Sequence, residues 1–158
     1  MNIRYLFVFA LIAMAAFSCQ KPNEMSNIPQ ISLSYFVAPN GSNAVRIGMD
    51  TAVLSFTIAD GDADLGRDQS GTDYDIYIRD LRSGDFLGYF FPEFDKSIEN
   101  PKKGIVGHCE FLFSPDLLIP RSDTIHIQND TTSFEFYIVD RAGHESNHLF
   151  TPQIIMYK

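Results

Sequence analysis

The side chains best suited to chemistry in this 158-residue chain are the carboxylates of Asp60-Gly61-Asp62-Ala63-Asp64-Leu65-Gly66. Three acids at alternate positions of one turn can converge on a hard cation, and calcium takes about six to eight oxygens at about 2.3–2.6 Å. The same composition also makes an ordinary exposed turn, in which aspartates cap their own backbone amides and glycines take positive φ. Both readings are open at this level. Mutual repulsion among clustered carboxylates speaks for a bound cation, with Asp60, Asp62 and Asp64 as its first ligands.

The D-x-D-x-D spacing matches the first three ligand positions of an EF-hand, and the match ends there. Leu65 occupies the place of the required glycine, Gly71 stands where a bidentate glutamate is needed, and the flanks alternate like strands. Further ligands must come from elsewhere, and Asp68, Asp73 and Asp75 are the nearest in sequence. Other chemistry is thinner. His144 and His148 have i, i+4 spacing, but Gly143 and a strand-like continuation argue against the helix that would align them on a metal. There is no G-x-S-x-G elbow, no glycine-rich phosphate loop and no nucleotide fingerprint, so the chain reads as a non-enzyme. Cys109, inside the alternating run 109–113, reads as a buried inert thiol. Tyr89, Phe90 and Phe94 belong to the densest aromatic stretch. They could stack on a sugar or meet a protein partner, or alternate members could simply face the core.

These groups need strands to position them. Ala52, Leu54, Phe56 and Ile58 share one face of residues 51–59, with Ser55 and Thr57 on the other, which is the clearest period-two pattern in the chain. Residues 31–36, 73–80, 86–91 and 109–113 also alternate, and the Arg82-Ser83-Gly84-Asp85 turn predicts a hairpin. Residues 38–50 read as a loop and 92–108 as a long surface connection. Residues 124–127 and 133–139 flank Gln128-Asn129-Asp130-Thr131-Thr132 as a second hairpin, and 149–157 is a final strand that Pro152 places at an edge or bulge. About eight strands without helical crossovers predict an all-β sandwich.

The N-terminal residues describe export. Arg4 is followed by an apolar run over residues 5–17. As a helix that run reaches about 20 Å, short of the roughly 30 Å hydrocarbon core, which fits a signal peptide better than a membrane span. Ala15-Ala16-Phe17-Ser18-Cys19 resembles the lipobox of bacterial lipoproteins, although Ala16 and Phe17 depart from the usual residues. The resemblance implies a signal peptide over 1–18, acylation of Cys19 as a bilayer anchor, a tether over 19–30 and a β-sandwich over 31–158. Ordinary secretion with cleavage after Ala15 is the alternative, and it would leave Cys19 free to bridge to Cys109. Loss of residues 1–18 removes only Arg4 among the charges, leaving 11 basic against 20 acidic side chains, a balance of −9 that argues against a nucleic-acid partner.

Residues 134–147, Phe-Glu-Phe-Tyr-Ile-Val-Asp-Arg-Ala-Gly-His-Glu-Ser-Asn, resemble the last hairpin of fibronectin type III and bacterial immunoglobulin-like domains, with His144 in place of the usual asparagine. The acidic turn followed by Asp73-Tyr74-Asp75-Ile76-Tyr77-Ile78 is similar to Bacteroidetes-type lipoproteins carrying such domains. The resemblance implies a single immunoglobulin-like or fibronectin type III-like sandwich. It brings Asp140 and Glu145 towards the acidic turn, giving a calcium set of Asp60, Asp62, Asp64, Asp73 and Asp140. It further implies a cell-envelope lipoprotein, in the outer membrane on its surface or periplasmic face, acting as a non-catalytic interaction or accessory module. A glycan-binding component of an outer-membrane uptake system is the alternative, so the expected partner is an envelope protein or a glycan.

Overall fold

A computed structural model describes residues 25–39, 41–67, 71, 73–91, 103–113 and 129–157. The expected signal peptide, residues 19–24 of the expected tether with Cys19, Asp68, Phe94 and the strand expected over 124–127 lie outside the described residues. Those described are all-β, with no helix among them. Their strands are β1 (Gln30–Val37), β2 (Ala44–Arg46), β3 (Ala52–Asp60), β4 (Ile76–Asp80), β5 (Phe86–Tyr89), β6 (Ile105–Phe113), β7 (Asn129–Thr132), β8 (Phe134–Ile138), β9 (Leu149–Phe150) and β10 (Ile154–Tyr157).

Three sheets form, in the orders β1-β3-β6, β5-β4-β8-β9 and β2-β10-β7. β3 is the centre of the first, antiparallel to both neighbours, with Phe56 opposite Leu33 and Cys109. The first two sheets face each other through aromatic contacts. Phe56 meets Phe136 at 5.1 Å, Phe113 meets Phe134 at 5.1 Å, and Tyr89 meets Phe111 edge-on at 4.9 Å. These rings and Leu54, Ile58, Ile78 and Ile138 are the interior, almost all of them fully buried. Each large apolar side chain taken from water contributes about 1.5–3 kcal/mol, so this face-to-face contact holds the layers together.

The end of the chain is a bent hairpin. β8 pairs with β9 in one sheet, while β7 pairs with β10 in another, so both arms change sheets at the same corner. There the Phe134 amide donates to Thr151 Oγ1 at 2.9 Å and the Thr151 amide donates to the Phe134 carbonyl at 2.8 Å. Residues 129–132, expected as a turn, are therefore strand β7. Among the described strands β7 lies at the edge of its sheet, where Asp130 pairs with Arg82. The single final strand expected over 149–157 is two strands, broken around Pro152, which cannot donate to a ladder. The expected loop 38–50 contains β2, which runs parallel to β10.

The chain enters beside the acidic turn. The Gly61 amide donates to the Ser26 carbonyl at 2.8 Å, and a Cβ on Gly61 would lie 2.4 Å from the Met25 carbonyl oxygen, so glycine is needed for this approach. The Asn147 side-chain amide bonds both backbone groups of Ile31, accepting from its N–H at 2.8 Å and donating to its carbonyl at 2.9 Å.

Candidate functional site

Period-two alternation carries two carboxylates inward at one pole. β3 buries Ala52, Leu54, Phe56 and Ile58 on its core face, and Asp60 is the next position on that face. β8 buries Phe134, Phe136 and Ile138, and the same count reaches Asp140. Because Phe56 and Phe136 face each other, four residues further along each strand bring Asp60 and Asp140 together, both fully buried. The two strands share the pattern Phe-x-Ile-x-Asp, at 56–60 and 136–140, a signal already present in the sequence.

Beyond Asp60 the chain turns sharply. Ala63 is buried at a φ of 57°, a left-handed conformation that costs a non-glycine residue about 1 kcal/mol or more. Asp64 N–H donates back to Asp60 Oδ2 at 3.1 Å. The Asp64 carbonyl accepts from the Arg141 backbone N–H and from Arg141 Nε, each at 3.0 Å, and Asp64 Oδ2 accepts from Ala142 N–H at 3.0 Å. On the facing loop Asp140 accepts from the His144 amide at 2.7 Å and meets the His144 ring nitrogen Nδ1 at 2.8 Å. One oxygen from each of Asp60, Asp62, Asp64 and Asp140 lies within 4.8 Å of the others. Asp60 Oδ1, Asp62 Oδ1 and Asp64 Oδ1 are buried without a hydrogen-bond partner.

The arrangement is electrostatically costly by itself. Two unit charges at this separation repel by about 3 kcal/mol at an effective dielectric of about 20. Burial, and then the neighbouring Asp62, push the Asp60 carboxyl up to about 6. Burial and Asp140 raise Asp64 above the usual carboxylate range as well. The hydrogen bond to Asp140 raises the His144 imidazole. With Nδ1 of His144 turned to Asp140, the convergent donors are all carboxylate oxygens, a set suited to a hard divalent cation rather than a soft or transition metal.

Asp73, expected among the ligands, stands outside this cluster. It is exposed and pairs with Arg67 at 3.4 Å. Asp75 is fully buried but serves the frame, accepting from the Phe91 amide at 2.8 Å and the Arg67 amide at 3.0 Å, while burial raises its carboxyl. Glu145 turns to His148. Cys109 is half-buried, and burial pushes its thiol up, away from the reactive thiolate. The Ser55 hydroxyl meets His108 Nε2 at 2.8 Å, but Ser55 is fully buried and cannot present a nucleophile.

The aromatic stretch divides. Tyr89 packs inward on Phe111, Phe90 is half-buried against Tyr74 and lines a cavity of about 320 Å³ with Phe91 and Phe111, and Phe94 lies outside the described residues. The exposed aromatic surface is elsewhere, on the solvent face of the β5-β4-β8-β9 sheet. Tyr77 and Tyr137 stack at 5.1 Å and 7°, and Tyr137 and His148 at 4.5 Å and 10°. Phe86 and Phe150 are 50% and 54% exposed beside them, and Arg79 pairs with Glu135 and lies over the Phe86 ring. Gly88 is required here, since a Cβ would meet the Tyr74 ring at 2.0 Å. This surface draws on four strands, so no local motif announces it; the readable trace is Tyr77 and Arg79, Glu135 and Tyr137 at the polar positions of alternating runs.

His148 is held between Glu135 and Glu145, each at 2.7 Å, and these bonds raise the imidazole above 6.5. A raised basic group stabilises the fold fully below the unfolded value near 6.5 and loses that contribution as pH rises through the folded one. His148→Gln is therefore expected to lower the melting temperature more at pH 6 than at pH 9. An NMR titration placing the His148 midpoint at or below 6.5 would contradict this.

No protein-family model, curated protein or solved structure matches the chain.

Proposed function

We propose that this chain is a cell-envelope lipoprotein whose immunoglobulin-like or fibronectin type III-like β-sandwich is a non-catalytic interaction module, with the aromatic sheet face as its contact surface. The observation that carries the reading is that face. Phe86, Phe150, Tyr74 and Tyr77 with Arg79 lie on the solvent side of the β5-β4-β8-β9 sheet, and aromatic residues and arginine are the types enriched where proteins meet. The sheet orders support the immunoglobulin-like assignment. β1-β3-β6 opposite β5-β4-β8-β9 follows an A-B-E layer facing a C-F-G layer with one added edge strand. The lipobox-like residues 15–19 support anchoring through Cys19. The mature excess of acids suits a partner with a basic rim.

A glycan partner fits less well, because sugars stack on open ring faces. Tyr77, Tyr137 and His148 cover one another's faces, and Tyr89 is taken up by Phe111. The test uses affinity purification of the full chain from envelope extracts, comparing wild type with a Phe86→Ser, Phe150→Ser pair. Both side chains are half exposed, so the pair is expected to retain the fold while losing a partner that the wild type retains. Binding unaffected by the pair, or retention of a glycan on an array, would overturn the reading, as would a hydrolytic activity lost with one cleft residue. Labelled palmitate should enter the wild type and not Cys19→Ala.

A further inference from the structure

We propose that Asp60, Asp62, Asp64 and Asp140 form a calcium site that joins the turn after β3 to the loop after β8. Acids alone would not carry this. The added observation is a fully buried side chain with nothing to bond: Asp60 is 0% exposed, and its Oδ1 has no hydrogen-bond donor although its neighbours are three more carboxylates. Asp62 and Asp64 each add a buried, unpartnered Oδ1 to the same cluster. Buried polar atoms are satisfied in the great majority of folded proteins, and three in one cluster share one missing partner, a positive charge.

Ligand chemistry selects the ion. Calcium takes about six to eight oxygens in flexible geometry, whereas magnesium demands near-ideal octahedral geometry and keeps several of its waters. The four carboxylate oxygens lie within 4.8 Å of one another, a convergent all-oxygen set of the kind calcium takes. Asp60 and Asp140 form the buried floor, and the half-buried Asp62 and Asp64 form the mouth through which a cation enters. Water and backbone carbonyls complete the six to eight oxygens that calcium takes. The ligands come from both layers of the sandwich, since Asp60 ends β3 and Asp140 follows β8, so the ion ties the sheets together at the end where the chain enters.

The test is calorimetric and thermal, on the full chain in detergent after chelation. One calcium per chain should bind with a dissociation constant on the order of 10⁻⁴ M, as in extracellular modules. At about 2 mM calcium the melting temperature should rise by roughly 6 °C, and magnesium at equal concentration should give less. Asp62→Asn should abolish the calcium response and, by removing one repelling charge, raise the melting temperature of the cation-free protein. That second change shows that the variant is folded. Asp73→Asn makes the same charge change outside the cluster and should leave the calcium response intact. No binding heat and no thermal shift in the wild type would overturn the site. An equal response to magnesium would overturn the choice of ion, and a response surviving in Asp62→Asn would overturn the ligand set.

Discussion

Phe136→Ala is expected to cost about 3–5 kcal/mol of folding stability, the range for emptying a buried aromatic position. Phe136 is fully buried, packs on Phe56 at 5.1 Å and lies on the strand shared by the acidic pole and the exposed aromatic face. A domain of this size is stable by about 5–15 kcal/mol, so the change removes a large fraction of the total. Urea unfolding followed by circular dichroism reads it as a lower midpoint at similar slope. A loss below about 1 kcal/mol would mean that the two layers do not meet through this ring. Phe136→Leu keeps much of the volume and should recover more than half of the loss.

Gly104→Ala should be the second large effect, at about 2–5 kcal/mol, from a backbone cause. Gly104 holds a φ of 65°, and a Cβ there would stand 2.5 Å from the Asp60 carbonyl oxygen and 2.6 Å from Met25 Cε. The left-handed conformation costs about 1–2 kcal/mol, and crowding against fixed backbone adds about 1–3 kcal/mol. The methionine end can move, but the Asp60 carbonyl belongs to β3 and cannot move without disturbing the acidic turn. The variant should therefore lose stability and also weaken any calcium response, which the same thermal titration measures. An unchanged melting temperature would show that the β3 end and the start of β6 are not in this close contact.

Much of the fold was legible because alternation is strong where one face is buried. β3 reads directly from Ala52, Leu54, Phe56 and Ile58, and the β4–β5 hairpin from its Ser-Gly turn. β2 was not legible. It has three residues, and its partner among the described strands is β10, more than a hundred residues away, so nothing local predicts it. Asn129-Asp130-Thr131-Thr132 has the composition of a turn, yet an edge strand needs little apolar surface when a ladder and an Arg82 pair hold it. At the acidic pole, sequence proximity proposed Asp73 and topology proposed Asp140. The structure places Asp140 in the cluster and Asp73 outside it, since where strands end decides which side chains meet.

The Asn147 amide that grips Ile31 has a bearing on self-association. Among the described strands β1 is the outer one of its sheet, and an outer strand with free N–H and C=O groups is a template for another copy of the chain. At Ile31 both groups are already occupied by one side chain that offers a donor and an acceptor but cannot itself be extended. Asn147 thus acts as a one-residue stop on the ladder, denying that stretch of edge to a neighbouring molecule. Were the chain lipid-anchored as proposed, with copies held at high local concentration, such a stop would keep neighbouring copies from joining edge to edge.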